Sequence, residues 1–287
     1  MQIIEAVSHL LKVAATDLPP DVEAALRKAL RTEENPRARS ALELVLENCR
    51  IARRERRPIC QDTGLPIFFV TAPVGSSHQG LVEVLRQGVR RATEEVPLRP
   101  NAVDPLTGAN TGDGVGDGVP IIYYSQWQQD YTLVELLLKG GGSENVGADY
   151  KLPDRSIGAA RDLDGVRRAV LDAVFAAQGR GCPPYFVGVG VAGTKDDAAV
   201  LAKRQLLRPL DERNERPTAA KLEERLLCEI NELGIGPSGL SGATTAFAVK
   251  AGFHARHPAT FFVHVAFGCW AHRRRRLRFH DGEAVFE

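Results

Sequence analysis

What this chain has little of narrows its class. No stretch approaches the roughly 18 consecutive apolar residues of a membrane span, so no membrane segment is expected. Lysine plus arginine (37) nearly balance aspartate plus glutamate (36), a formal charge of +1 over 287 residues. With no broad basic face, nucleic acid is not an expected partner. The five cysteines are few and odd in number, which argues against a disulfide framework. The start, MQIIEAVSHLLKVAATDLPPDVEAAL, lacks the charged, apolar and small-residue zones of a secretory signal and reads as helix, turn, helix. The expected location is the cytoplasm. There, the thiols are candidates for buried packing groups, a nucleophile or metal ligands.

Apolar spacing over residues 2–14, 20–31 and 37–56 is helical, and we expect a helical N-terminal region over 1–57. After Pro58 the texture changes to strands at 66–72, 119–124 and 131–138, with a helix over 78–95. A helix at 161–179, a strand at 185–191 and helices at 196–207 and 218–232 follow. Strands at 244–250 and 260–267 and a hairpin about Asp281–Gly282 complete the chain. The expected fold class is mixed α/β: a helical N-terminal layer packed on a mixed-sheet region, 58–287, that forms one integrated domain. Residues 101–118 and 139–153 are rich in glycine and aspartate and read as long loops, which in compact domains are more often functional than accidental. The basic run Arg273 to Arg276 with Arg278 reads as a solvated tail or a subunit contact.

Three cysteines stand at element ends, where side chains can converge on one sheet edge. Cys60 lies in PICQDTG, Cys182 in GCPP and Cys269 in GCWAH. Local context leaves each between an ordinary buried thiol and a ligand. Cys49 and Cys228 fall within helical patterns and read as small buried or half-buried thiols. None of the five forms a CxxC pair, so a structural zinc site is poorly supported. Three widely spaced thiolates would suit an iron–sulfur cubane whose fourth iron is open to substrate and acts as a Lewis acid. A rival motif is GVGVAG at 188–193, which matches GxGxxG between a strand and a helix, with Asp211 about twenty residues on. It allows a second reading, a nicotinamide-dependent oxidoreductase. The third is a non-catalytic assembly subunit that retains the fold.

The segments CQDTG (60–64), PLRPNAVDPLTG (97–108), KGGGSEN (139–145), CPPYFVGVGVAGT (182–194), LLRPLD (206–211), LGIGPSGLSG (233–242), HPAT (257–260) and GCWAHRR (268–274) occur in one order. In that order the chain resembles the α subunit, or N-terminal catalytic region, of class I fumarases and L-tartrate dehydratases. The resemblance implies a [4Fe–4S] cluster on Cys60, Cys182 and Cys269 with one iron open to substrate. It also implies substrate contacts from Gln61 and Asp62, a carboxylate-binding Arg99, close backbone approach at Gly142 and a substrate-binding His257. It reassigns GVGVAG to a structural turn. The implied reaction is reversible hydration of fumarate to malate, with dehydration of tartrate to oxaloacetate as the alternative. Asp62 is the local candidate for handling the hydroxyl proton. Single-chain members continue into a smaller C-terminal domain that supplies the catalytic base. A separate β subunit is therefore the expected partner here, in an α2β2-type or dimeric assembly.

Overall fold

The structure is a computed structural model that describes residues 2–96 and 98–287. Pro97, which opens the PLRPNA segment, lies outside the described residues. In chain order the first elements are α1 (Ile3–Thr16), α2 (Pro20–Thr32), α3 (Pro36–Glu55), β1 (Leu65–Pro73), α4 (His78–Glu95), β2 (Ile121–Trp127) and β3 (Thr132–Lys139). There follow α5 (Gly141–Asn145), β4 (Ala148–Lys151), α6 (Leu163–Ala177), β5 (Tyr185–Ala192), α7 (Lys195–Gln205) and α8 (Pro217–Glu232). The last are β6 (Ala246–Phe253), β7 (Phe262–Gly268), β8 (Arg273–His280) and β9 (Glu283–Phe286). The fold is mixed α/β, as expected.

The chain divides into two compact units that interleave in sequence. The first takes the residues up to Pro19, Glu47–Gly141 and Arg273–Glu287. Its sheet has the order β2-β1-β3-β8-β9, parallel between β1 and β2 and antiparallel elsewhere. Helix α1 places Ala6, Val7, Leu10, Leu11 and Ala14 on one stripe, the three-and-four spacing of a helix face. That stripe packs with Phe68, Val70, Leu136 and Leu277 of the sheet and Leu85 and Val89 of α4. Each buried Val, Leu or Phe in this cluster contributes about 1.5–3 kcal/mol of apolar transfer. At Gly88 of α4 an added Cβ would lie 2.4 Å from Val7 Cγ1, so glycine is what lets α4 close on α1.

The second unit takes Pro20–Leu46 and Gly142–His272. Its sheet has the order β4-β7-β5-β6, with β5 and β6 parallel and the other pairs antiparallel. Strand β5 is buried along its whole length, which explains its unbroken run YFVGVGVA in place of an alternating pattern. Helix α6 starts where the Asp162 carboxylate accepts from Gly165 N at 2.7 Å, an N-cap that satisfies one orphan amide of the first turn.

Three expectations change. GVGVAG is not a turn: Gly188 and Gly190 lie inside β5. A Cβ there would sit 2.3 Å from Ala202 O and 2.0 Å from Ala198 O of α7, so these glycines admit the helix onto the strand. The stretch 139–153 is not wholly loop, since it contains the short α5 and β4. The arginine run is neither tail nor free surface: it forms β8, with Arg273 only 1% exposed and Arg276 paired to Glu135 at 2.8 Å. No helix among the described residues is long and apolar enough to cross a membrane.

Candidate active site

The first unit carries Cys60, Gln61, Asp62 and Arg99. Cys60 is half-buried in the segment between α3 and β1, and Gln61 is exposed beside it. Backbone amides fix the Asp62 carboxylate: Gly64 N donates to Oδ1 at 3.0 Å and Gly141 N to Oδ2 at 2.7 Å. Gly64 adopts φ +85, and a Cβ on it would meet Leu138 C at 2.9 Å, so only glycine turns the chain here into β1. Thr63 is buried and its hydroxyl accepts from Arg99 N at 3.1 Å and Asn101 Nδ2 at 3.3 Å. Asn101 Nδ2 also donates to Gly64 O at 3.0 Å. CQDTG and PLRPNA, about 40 residues apart, are thereby strapped together, with the Arg99 side chain left exposed.

Residues 101–118 do form a loop, as expected, and an ordered one. Asp104 Oδ1 accepts from Leu106 N and Thr107 N, Gly108 N bonds back to Asp104 O, and Asn110 Nδ2 donates to Pro100 O at 2.7 Å. The two amides and the threonine hydroxyl hold the Asp104 carboxyl below its ordinary range.

In the second unit Cys182 and Cys269 come together. Register places Phe186 of β5 opposite Gly268 of β7, so the segments just outside those strands run side by side. Trp270 N donates to Cys182 O at 3.0 Å across them. Cys182 is exposed with φ 60, a left-handed conformation that a non-glycine residue adopts at a cost and that clusters at functional sites. Neighbouring bonds hold it there: Cys182 N to Gly179 O at 3.2 Å and Ser238 N to Pro183 O at 2.8 Å. Gly239 closes against Gly179 so tightly that a Cβ would lie 2.7 Å from its Cα, which accounts for the LGIGPSGLSG segment.

Tyr185, the first residue of β5, lies close enough to feel the charge of both thiols. Its buried hydroxyl donates to Gln178 O at 2.6 Å and accepts from Gly181 N at 3.1 Å. Burial pushes the phenol up to about 12, with negative charge on Cys182 and Cys269 acting the same way. On the other side His272, 2% exposed, stacks on Phe186 at 4.6 Å. Its Nε2 lies 2.7 Å from Leu206 O, which makes that nitrogen the donor. Gly268, next to Cys269, is glycine because a Cβ would fall 2.3 Å from His272 Nδ1.

Gly142 is exposed in α5, with only the Arg180 carbonyl near its Cβ direction at 3.8 Å. That leaves bare backbone open beside the segment leading to Cys182. His257 is exposed, and its Nδ1 accepts from Ala259 N at 3.0 Å. The neutral ring therefore carries its proton on Nε2, directed away from that turn. Arg256 fixes the same turn, its Nη1 donating to the carbonyls of His257, Pro258 and Thr260 at 3.0–3.2 Å.

Cys60 lies on a loop of the first unit and Cys182 and Cys269 on loops of the second, all three soft sulfur donors. Such donors suit iron–sulfur chemistry. Among the described residues no three His, Cys, Asp or Glu side chains converge on a point that one ion could occupy. Thr63, Asn101, Tyr185 and His272 did not stand out in the sequence, because their work is done through distant partners.

Residues 4–278 match the model of the family described as fumarate hydratase (Fumerase), and the chain belongs to that family. It is 44% identical over 278 residues to a provisionally named class I fumarate hydratase of Geobacillus stearothermophilus, covering 95% of this chain and 54% of that protein. It thus spans about half the length of that relative. It is 40% identical over 279 residues to a provisionally named L(+)-tartrate dehydratase subunit alpha of Methanocaldococcus jannaschii, covering 96% of each. Against the L(+)-tartrate dehydratase subunit alpha of Escherichia coli K12 the identity is 36% over 292 residues, covering 100% of this chain and 93% of that one.

Proposed function

We propose that this chain is the cluster-bearing half of an iron–sulfur hydro-lyase that adds or removes water at a small dicarboxylate. Cys60, Cys182 and Cys269 would hold a [4Fe–4S] cluster. The observation that carries the reading is that the Cys182 and Cys269 segments are joined by the Trp270 N to Cys182 O hydrogen bond, with Cys182 held in a left-handed conformation. When bound, the cluster supplies a Lewis-acidic iron that makes hydroxide a better leaving group. The chain's own residues bind and orient. The Arg99 guanidinium offers a planar fork for one carboxylate. His257 offers Nε2–H as a neutral donor, and the Gly142 backbone allows close approach. Asp62, its two oxygens held by the Gly64 and Gly141 amides, would handle the hydroxyl's proton, giving it to the departing hydroxide in dehydration and taking it from the attacking water in hydration, with the Gln61 carboxamide beside it. Holding both ends of a dicarboxylate converts binding into orientation, a large part of barrier reduction in such sites.

The proton on the adjacent carbon needs a base, and we assign it to a β subunit. The subunit-alpha names of the tartrate dehydratases support such a partner. Fumarate and malate are the first pair to assay, on the higher identity to the fumarate hydratase relative. L-tartrate is the second, favoured by likeness over nearly the whole length of two tartrate dehydratase subunits. Anaerobic reconstitution tests the cluster. The chain should turn brown and take up about four irons. A colourless chain that binds no iron removes the proposal.

A further inference from the structure

Three strands reach the same edge of the first unit's sheet. β1 begins at Leu65 opposite Lys139, the last residue of β3, and Arg273 opens β8 opposite Leu138. The CQDTG segment runs across this edge. Arg273 is among the largest fully buried side chains of the described residues, at 1% exposure. Its Nη1 donates to the backbone carbonyl of Asp62 at 2.8 Å, while its Nε is buried with no hydrogen-bond partner among the described residues. Gly140 keeps this corner open: a Cβ there would come 3.2 Å from Asp62 Oδ2 and 3.6 Å from Arg273 Nη2. The same carboxylate oxygen takes the Gly141 amide at 2.7 Å.

Sheet packing alone does not call for this arginine. A buried guanidinium with an unmade bond costs desolvation energy that an apolar side chain of similar volume would avoid. What the guanidinium does contact is the main chain two residues from Cys60, in a segment with no regular secondary structure of its own.

We propose that Arg273 is a positioning residue. By holding the Asp62 carbonyl it fixes the 60–64 segment, so that the Cys60 thiol and the Asp62 carboxylate are presented together from one rigid turn. Its link to a cluster rests on the function proposed above, but the positioning itself does not. It is therefore tested on the cluster-free full-length chain.

The five cysteines are built-in reporters. Each is alkylated by iodoacetamide at a rate that mass spectrometry reads peptide by peptide. In Arg273→Met the Cys60 rate should rise about tenfold, the factor expected from losing one charge-assisted hydrogen bond. Cys49, buried in the same unit, should keep its wild-type rate. Arg273→Lys, which retains a charged donor, should restore most of the protection. Iron uptake on reconstitution should fall in Arg273→Met and recover in Arg273→Lys. An unchanged Cys60 rate, or equal acceleration of Cys49 and Cys60, overturns the proposal, the second outcome showing only a loosened core. Should Arg273→Met fail to fold, Gly140→Ala takes its place by wedging a methyl against Asp62. It must also accelerate Cys60 over Cys49, and no change there overturns the proposal. Normal positioning with no iron uptake by wild type would instead count against the cluster reading alone.

Discussion

Replacing Gly190 by alanine tests why the GVGVAG segment is rich in glycine. The added Cβ would sit 2.0 Å from Ala198 O and 2.7 Å from Ala202 N, where ordinary contact begins at 3.4 Å. Both obstacles are helix backbone, so no side chain can swing aside and α7 must retreat by about 1.4 Å. That movement unpacks Ala198, Leu201 and Ala202, which are buried against the sheet. Overpacking of a close-packed interior costs about 1–3 kcal/mol, and a clash with rigid backbone belongs at the upper end. A loss of about 3 kcal/mol corresponds to a fall in melting temperature of about 6–12 °C. Thermal melting followed by circular dichroism measures it, and Gly188→Ala, 2.3 Å from Ala202 O, should behave alike. If the glycines served a dinucleotide instead, alanine would cost cofactor binding and leave the melt in place. A Gly190→Ala protein melting within about 2 °C of wild type would refute the packing argument.

Other outcomes follow from particular contacts. Oε1 of Glu223, a residue 7% exposed, accepts from Arg208 Nη1, Asn214 Nδ2 and Ala251 N at 2.7–2.9 Å, which ties the LLRPLD segment to β6. Glu223→Ala should cost about 3 kcal/mol in urea denaturation, and Glu223→Gln, which keeps an acceptor oxygen, clearly less; equal losses would contradict this. Asp164, in the first turn of α6, is held down to about 2 by hydrogen bonds from Arg167 and Arg168. Since the folded value is depressed, its contribution is present above the ordinary 3.8 and disappears as pH falls through about 2. Carboxyl NMR should give that midpoint, and Arg167→Ala should move it up. Serine at Cys60, Cys182 or Cys269 should abolish iron uptake, whereas serine at Cys49 or Cys228 should not, as read by iron analysis after reconstitution.

Much of the fold was legible because its signals are local. The α1 stripe and the apolar run of β5 each declare themselves within a few residues. The five-residue α5 was not legible, since a helix shorter than two turns has no periodicity and GGGSEN opposes helix by composition. Arg273 was misread for a different reason. A run of arginines is ordinarily solvated, and only pairing of β8 with β3, more than 130 residues earlier, buries it. The three cysteines could be singled out by position at element ends. That Cys182 and Cys269 lie side by side depends on the register of β5 against β7, which no local pattern encodes.

The most direct test of the account is the cluster itself. Reconstituted anaerobically, the wild-type chain should bind about four irons with matching sulfide, and after one-electron reduction with dithionite to the paramagnetic state, substrate should perturb its electron paramagnetic resonance spectrum through an open iron. Each of Cys60→Ser, Cys182→Ser and Cys269→Ser should lose the iron. Wild-type iron content retained in any one of these three variants would contradict the assignment.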